Sequence, residues 1–230
     1  MIKKEITYFL TALMFFTRIP IPYKIEYSSE IMNQSQKYYP LVGWGVGGIN
    51  ALVFYLLHFL LPIDISLVIM MICSVLLTGA FHEDGFTDVC DSFGGGYGKE
   101  KILTIMKDSR VGAYGIVGII LLFLLKFLSM KHLAETSFFD FLVILIIAHS
   151  SSRYLSGLMI HTHQYVTDID QSKSKPIANK ALPKNTLFVG LFFTLLPFLW
   201  FPNLWMLLVF PFAYLGKAYL GWYFNKHIGG

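Results

Sequence analysis

Few residues in this sequence are charged, and only two are cysteine. Lys, Arg, Asp and Glu account for 14% of the 230 residues, whereas hydrophobic residues account for 55%. A water-soluble domain usually carries about a quarter charged residues, so this composition excludes an ordinary soluble globule and indicates a membrane protein. The two cysteines, Cys73 and Cys90, are too few for a disulfide framework, and we expect both to act as helix-packing residues.

The balance of charge is slightly basic, with a net charge of +4. Such a balance fits either a nucleic-acid partner or basic loops that face an anionic membrane surface. Because the chain is so apolar, we expect the lipid bilayer, and not nucleic acid, as its partner.

Six segments approach the roughly 20 apolar residues that a membrane-spanning helix needs. We therefore predict an all-α fold: a polytopic membrane helix bundle of about six transmembrane helices, forming a single integral membrane domain over residues 1–230. Pro62 and Pro202 punctuate tight hairpins between successive segments. The predicted spans are residues 41–61, 63–81, 111–128, 138–160, 186–201 and 204–223.

The first predicted span is rich in glycine, which lets a second helix backbone approach closely. Such a surface suits packing within the bundle or against a second copy of the chain, so homo-oligomerisation stays open. The glycines are Gly43, Gly45, Gly47 and Gly48.

The basic residues are distributed unevenly between the two sides that six spans define. Only Lys126 and Lys131 fall opposite the N-terminus, and this bias marks the richer side as cytoplasmic. We therefore predict an integral protein of the bacterial cytoplasmic (inner) membrane, with cytoplasmic loops at residues 82–111 and 161–185. The basic residues on the richer side are Lys3, Lys4, Arg18, Lys24, Lys37, Lys99, Lys101, Lys107, Arg110, Arg153, Lys173, Lys175, Lys180, Lys184, Lys217 and Lys226.

The N-terminal stretch is similar to a signal peptide, because Lys3 and Lys4 precede an apolar run over residues 6–16. Arg18 follows the run directly and no small-residue cleavage site is present, so we expect the stretch to stay on the protein. It is too short to span a bilayer and basic residues flank both ends. This pattern predicts an interfacial or re-entrant helix on the cytoplasmic side.

Carboxylates cluster directly after the second predicted span. At about 100° per residue of α-helix, Asp84, Asp88 and Asp91 form one stripe about 60° wide, with Glu83 to one side. Like charges so close together repel, and acidic residues at membrane depth are usually functional. A hard divalent cation is their natural partner, so we predict a site for Mg²⁺, or for Mn²⁺, with these four residues as candidate ligands. Glycines at residues 94–96 should end the helix.

Positive charges follow the acidic stretch within the same predicted loop. Lys107 and Arg110 stand in a compact polar cluster before Gly112, and Arg153 places a guanidinium inside the fourth predicted span. Metal-bound carboxylates beside cations and glycines are typical of phosphoryl-transfer sites, where the cations neutralise developing charge. The second predicted loop adds a polar stretch, residues 168–176, which fits either a phosphate-contacting loop or a plain solvated one.

These motifs resemble those of the cobalamin synthase family, whose members are also called adenosylcobinamide-GDP ribazoletransferases. The resemblance covers most of the chain and is most specific in the central acidic and basic block. One departure is Ser92, where the family usually has glycine, and a helical backbone should tolerate it. The matching stretches are Phe15-Phe16-Thr17-Arg18-Ile19-Pro20, Phe81-His82-Glu83-Asp84-Gly85 with Asp88 and Asp91, Ile105-Met106-Lys107-Asp108-Ser109-Arg110 with Gly112 and Gly115, and Lys173-Ser174-Lys175-Pro176.

The resemblance implies a magnesium-dependent membrane transferase in a late step of cobalamin biosynthesis. Such an enzyme joins adenosylcobinamide-GDP to α-ribazole, or to its 5′-phosphate, and releases GMP. On this hypothesis Asp88 or Asp91 is the general base. Lys107 and Arg110, as catalytic residues, neutralise the transition state together with Arg153. The expected substrate-binding residues are Lys107, Asp108, Ser109, Arg110, Arg153, Lys173 and Lys175.

Two other functions stay open at this point. A CDP-alcohol phosphotransferase that forms phospholipids would use the same metal chemistry, but the Ala-Arg pair and longer spacing of that family are missing here. A cation transporter would carry acidic residues near mid-membrane in several helices, whereas here they cluster at one helix end.

Overall fold

The computed structural model describes residues 2–26, 28–164, 166, 184–200 and 204–229. Within them the regular structure is entirely helical, which confirms the predicted all-α class. The α-helices are α1 (Ile2–Phe16), α2 (Ser29–Ser35), α3 (Tyr39–His58), α4 (Ile63–Thr78), α5 (Phe81–Gly95), α6 (Lys99–Met106), α7 (Ala113–Thr136), α8 (Phe138–Thr162), α9 (Lys184–Leu195) and α10 (Val209–Ile228). Short 3-10 helices cover Gln36–Tyr38, Leu196–Trp200 and Leu204–Leu208.

Three described helices are long and apolar enough to cross a membrane: Ser29–His58, which includes α2 and α3, then α7 and α8. The helices α4 and α5 are long and apolar enough only when they are taken together as one bent span, so the described residues hold up to four spans. The fifth predicted span corresponds to a shorter apolar segment, Lys184–Trp200, and the sixth to α10, which is not among the span candidates. The count of six therefore stays a prediction.

The second predicted span is interrupted just before the acidic stretch. α4 ends at Thr78, and Gly79 and Ala80 both adopt left-handed backbone conformations, with φ of 67° and 59°. α5 then leaves at an angle of 89° to α4. The expectation of one helix over residues 63–81 that runs directly into the carboxylates was wrong, because two left-handed residues in succession cannot continue an α-helix.

The two halves of the bent pair lie along opposite ends of α7. On α4, Asp64 forms an ion pair of 2.7 Å with Lys131 near the C-terminal end of α7. On α5, Asp91 contacts the backbone at Gly112 and Gly115, where α7 begins. The break at Gly79 therefore lies beside the middle of α7, so α5 begins beside the middle of α7 and ends at its start. Discontinuous helices of this kind place polar residues and helix ends inside a membrane protein.

α1 packs against the start of the first span. Ala12 and Phe16 are buried against α3, and the Glu5 carboxylate accepts hydrogen bonds from Lys37 (2.6 Å) and from the Tyr38 hydroxyl (2.8 Å). The hydrogen bond from Lys37 lowers the pKa of Glu5. Lys37, counted among the basic residues of the cytoplasmic side, is only 7% exposed, because this ion pair satisfies it within the fold.

The first span and α8 form the most extensive helix pair, and glycine makes their contact possible. A Cβ at Gly43 would lie 2.5 Å from the carbonyl oxygen of His149, and one at Gly47 would lie 2.7 Å from the Cα of Ile146. Gly45, by contrast, faces open space. The predicted close backbone approach is thus confirmed for Gly43 and Gly47, and its partner is α8 of the same chain.

We expect Gly47→Ala to destabilise the protein by about 1–3 kcal/mol, because the added methyl group meets the α8 backbone, which cannot rotate away. Chemical denaturation in detergent micelles measures the effect. Gly45→Ala is the matched control and should be neutral or slightly stabilising, since alanine favours the helix and nothing lies within 4 Å. Equal stability of the two variants would contradict this account of the helix pair.

Candidate functional site

The acidic residues lie on one continuous helix, α5, as their spacing predicted. The helix runs from Phe81 to Gly95, and Gly96 caps it with an N–H that bonds the carbonyl of Ser92. Ser92 is fully buried, and its hydroxyl donates to the backbone carbonyl of Asp88 at 2.6 Å. The serine that departs from the family pattern is therefore accommodated inside the helix, and the helix end is where the glycines predicted it. The region expected as a loop over residues 82–111 is mostly α5 and α6.

Asp91 fixes the end of α5 to the beginning of α7. Its two carboxylate oxygens accept the backbone N–H groups of Gly112 (2.7 Å) and Gly115 (2.8 Å). These N–H groups have no partners within α7, and a negative charge is favourable at a helix N-terminus. A side chain at Gly112 would lie 2.5 Å from the Asp91 Oδ1, so the contact needs glycine.

A third glycine extends the same helix contact. A Cβ at Gly118 would lie 2.7 Å from the Sγ of Cys90 and 3.4 Å from the ring of Phe86. Gly112, Gly115 and Gly118 follow one another at intervals of three residues and so line the face of α7 that receives α5. Cys90 is confirmed as a helix-packing residue.

Glu83 interacts with a lysine that the sequence analysis placed on the opposite side of the membrane. Lys126 lies in the middle of α7, and Glu83 is its electrostatic partner. The Glu83 Oε2 is buried and has no hydrogen-bond partner among the described residues, and the pair is not within ion-pair distance. The side of the membrane on which Lys126 lies stays a prediction, but its neighbour was not expected: α4 and α5 together run the length of α7 and bring the start of α5 to its centre.

The four predicted metal ligands therefore have different surroundings. Glu83 faces Lys126, Asp91 caps α7, Asp84 is exposed, and Asp88 is half-buried on the same helix face as Asp84. Within the described part of the chain, no three His, Cys, Asp or Glu side chains converge closely enough to hold a metal ion. Metal binding by these four residues stays a prediction.

The basic cluster is held next to the end of α5 by the Asp91 contact at Gly112. Within it, the Arg110 Nε and Nη2 donate to the Asp108 carboxylate, with the shortest contact at 2.7 Å. These hydrogen bonds lower the pKa of Asp108 to about 2, so the pair stays charged at physiological pH. Lys107 and Ser109 are exposed. The loop thus presents cations beside the acidic helix, with Arg110 tied to its own neighbour.

Arg153 lies inside the bundle and not in the basic loop. It is 2% exposed, its Nη1 donates to the carbonyl oxygen of His149 (3.0 Å), and its guanidinium carbon lies 5.2 Å from the centre of the Phe16 ring. The Phe16 ring in turn stacks on His82 at 5.9 Å. One phenyl ring therefore separates Arg153 from the first turn of α5. Lys173 and Lys175, expected to bind substrate, lie outside the described residues.

Three residues of this region were not predicted from the sequence: Lys126, Gly118 and Phe16. Two of them carried a signal. A single lysine within an apolar span is costly unless it has a partner, and Gly118 continues the three-residue spacing of Gly112 and Gly115. Phe16 lies in a stretch that matches the family, but nothing in the sequence indicated that it would contact Arg153 and His82, since its position depends on how α1 folds back against α3.

We predict that Lys126→Met lowers the free energy of unfolding by about 1–3 kcal/mol, because the half-buried Glu83 carboxylate would lose its nearby counter-charge. Adding Glu83→Gln should recover most of the loss. Chemical denaturation in detergent of the single and double variants measures both effects. Lys131→Met is the control, and the loss of its more exposed pair with Asp64 should cost less than about 1 kcal/mol. A double variant no more stable than Lys126→Met would rule out the coupling.

The described helices define the class of this molecule: an all-α integral membrane protein with a discontinuous span that carries an acidic helix beside a basic loop. The chain belongs to the cobalamin-5-phosphate synthase family, whose model matches residues 8–230.

Relatives from several bacteria are similar over nearly the whole chain, and each is named adenosylcobinamide-GDP ribazoletransferase. The protein from Shewanella amazonensis is 41% identical over 228 residues, which cover 99% of this chain and 88% of the relative. The protein from Leptospira interrogans is also 41% identical, over 100% of this chain and 88% of its own length. The protein from Ralstonia pickettii is 38% identical, over 96% and 85%. No solved structure matches the chain.

Proposed function

We propose that this chain is a membrane-embedded transferase that joins adenosylcobinamide-GDP to α-ribazole or its 5′-phosphate, giving adenosylcobalamin or its 5′-phosphate with release of GMP. One contact supports it best: Asp91 of the acidic helix α5 accepts the N–H groups of Gly112 and Gly115. This contact holds the acidic helix beside the start of α7 and the basic loop before it. Family membership and the names of the relatives supply the substrates.

The residues of α5 suit the binding of one magnesium ion. Magnesium typically takes one or two carboxylates together with water and substrate phosphate oxygens. Asp84 and Asp88 are one helical turn apart and about 40° apart around the axis, and Asp84 is exposed. We assign the ion to these two, with Glu83 and Asp91 positioning the helix. When bound, magnesium would neutralise charge on the diphosphate and on the leaving GMP.

The chain's own groups then have distinct parts in the transfer. A hydroxyl oxygen of α-ribazole bonds to the phosphorus that carries the corrinoid, and the bond from this phosphorus to the bridging oxygen breaks, so that GMP leaves with that oxygen. We assign the hydroxyl proton to Asp88, because protonation of Asp91 would weaken its two backbone hydrogen bonds. Lys107 and Arg110 would balance the charge on the phosphates, with Arg110 exchanging Asp108 for a phosphate oxygen.

We expect Asp84→Asn and Asp88→Asn each to reduce magnesium-dependent GMP release at least about 10²-fold with little change in stability, since both act on the reacting groups. Asp91→Asn should lower both activity and stability, because an amide has only one acceptor oxygen for the two N–H groups. The assay uses the purified protein in lipid vesicles with labelled nucleotide donors. The matched control is Glu100→Gln, an exposed acid on α6.

Normal GMP release by all three aspartate variants would refute the assignment. CMP release from a CDP-alcohol would instead indicate the phospholipid-forming alternative, and transport of cations without nucleotide cleavage would indicate a transporter.

The location of the site follows from the same proposal. We place the chain in the bacterial inner membrane with the Lys107 loop on the cytoplasmic face, where nucleotide substrates are present. The excess of lysine and arginine on that side supports this orientation. A Lys107→Cys variant should react with a membrane-impermeant thiol reagent only in inside-out vesicles, tested in a background that lacks Cys73 and Cys90. Labelling in right-side-out vesicles would reverse the orientation.

A further inference from the structure

A small cavity, lined in part by polar side chains, lies between α8, α9 and the 3-10 helix before α3, away from the acidic stripe. Its enclosed part is about 10 Å³, room for one oxygen atom, and about 230 Å³ is free when the mouth is counted. A phosphate would therefore place one oxygen in the enclosed part and the rest of the group in the mouth. The lining residues are Gln36, Arg153, Tyr154, Gly157, Thr186, Leu187 and Gly190.

The polar side chains that line this cavity are buried without partners. Arg153, Gln36 and Thr186 are each at most 5% exposed. The Nε and Nη2 of Arg153, both amide atoms of Gln36 and the hydroxyl of Thr186 have no hydrogen-bond partner among the described residues. Buried polar groups are nearly always satisfied by protein, by ordered water or by a ligand, so several unpartnered polar groups around one cavity indicate that a polar ligand binds there.

Arg153 identifies the charge of that ligand. Its Nη1 is occupied by His149, which leaves Nε and Nη2, the edge of the guanidinium that binds two oxygens at once. Arg110 uses the same two nitrogens to hold the carboxylate of Asp108. No carboxylate of the described residues lies within ion-pair distance of Arg153. The free edge therefore fits an oxyanion with two oxygens, a phosphate or a carboxylate.

We propose that this cavity binds the phosphate of a phosphorylated acceptor, so that Arg153 determines the preference for α-ribazole 5′-phosphate over α-ribazole. The inference rests on the proposed function. The family is described as one that makes cobalamin-5-phosphate, and such a product carries a phosphate that takes no part in the transfer. The single Phe16 ring between Arg153 and His82 places the cavity next to the acidic helix yet apart from the stripe.

Direct binding tests the site without catalysis. We expect ribose 5-phosphate or inorganic phosphate to raise the melting temperature of the full chain in detergent, relative to ribose and to chloride at equal ionic strength. Arg153→Gln should abolish the shift. Gly157→Leu should abolish it too, because a side chain at Gly157 meets nothing within 4 Å and extends into the open space. Gly45→Leu, also a helical glycine facing open space, is the control that keeps the shift.

Acceptor choice tests the role in the reaction. In wild type, kcat/KM should favour α-ribazole 5′-phosphate over α-ribazole, and Arg153→Lys should reduce this ratio by about tenfold to hundredfold, the value of a charge-assisted bidentate contact. Gly157→Leu should reduce the ratio as well. An equal loss with both acceptors would overturn the assignment to the acceptor phosphate and place Arg153 on the donor.

The two readouts separate the failure of this inference from that of the proposed function. A phosphate-dependent rise in melting temperature without any GMP release would leave the oxyanion site standing and refute the transferase. The opposite result would refute the oxyanion site alone: GMP is released, phosphate does not change the melting temperature, and the Gly157→Leu variant keeps its acceptor preference.

Discussion

The contact between α5 and α7 is the constraint on which the rest of this region depends. Asp91 accepts two N–H groups from the start of α7, and glycine at residues 112 and 115 lets its carboxylate reach them. One ionic cap thereby fixes three things: where α7 begins, where the basic loop ends, and which way the acidic stripe faces. The cations at Lys107 and Arg110 stay beside α5 because the loop that carries them is tied at Gly112 to the last aspartate of the stripe.

Charge inside the bundle is tolerated here only in combination with neighbouring polar groups. Lys126 and Glu83 offset each other at the centre of α7, and Arg153 is held by the backbone and ring of His149 on the preceding turn of α8. Asn50 links His149 to Ser74 of α4, with both contacts at 3.0 Å. Because charged and polar groups at this depth are costly, their concentration around the α4–α5 break indicates that the break is a functional feature.

Periodicity in the sequence was enough to predict the acidic helix, its stripe and its glycine end, since a helix repeats every 3.6 residues whatever surrounds it. The break at Gly79 and Ala80 was not predictable in the same way. Alanine rarely adopts a positive φ by its own preference, so nothing at Ala80 predicted the break. A contact from a distant part of the chain lies at this point: the Arg18 backbone N–H donates to the Leu77 carbonyl. The positions of Lys37 and Lys126 depended on the same long-range packing, because counting basic residues by loop treats each of them as solvated.

The arrangement of opposite charges also explains why an acceptor phosphate would need a place of its own. The stripe of α5 attracts a cation and, through it, the diphosphate of the donor. A second phosphate on the same ion would compete with that diphosphate, and two such anions repel strongly where little water screens them. Arg153 offers a positive edge that is unused within the described residues and lies one aromatic ring away from the stripe. The acceptor phosphate and the donor diphosphate can then be neutralised separately, while the sugar between them brings the acceptor hydroxyl to the diphosphate.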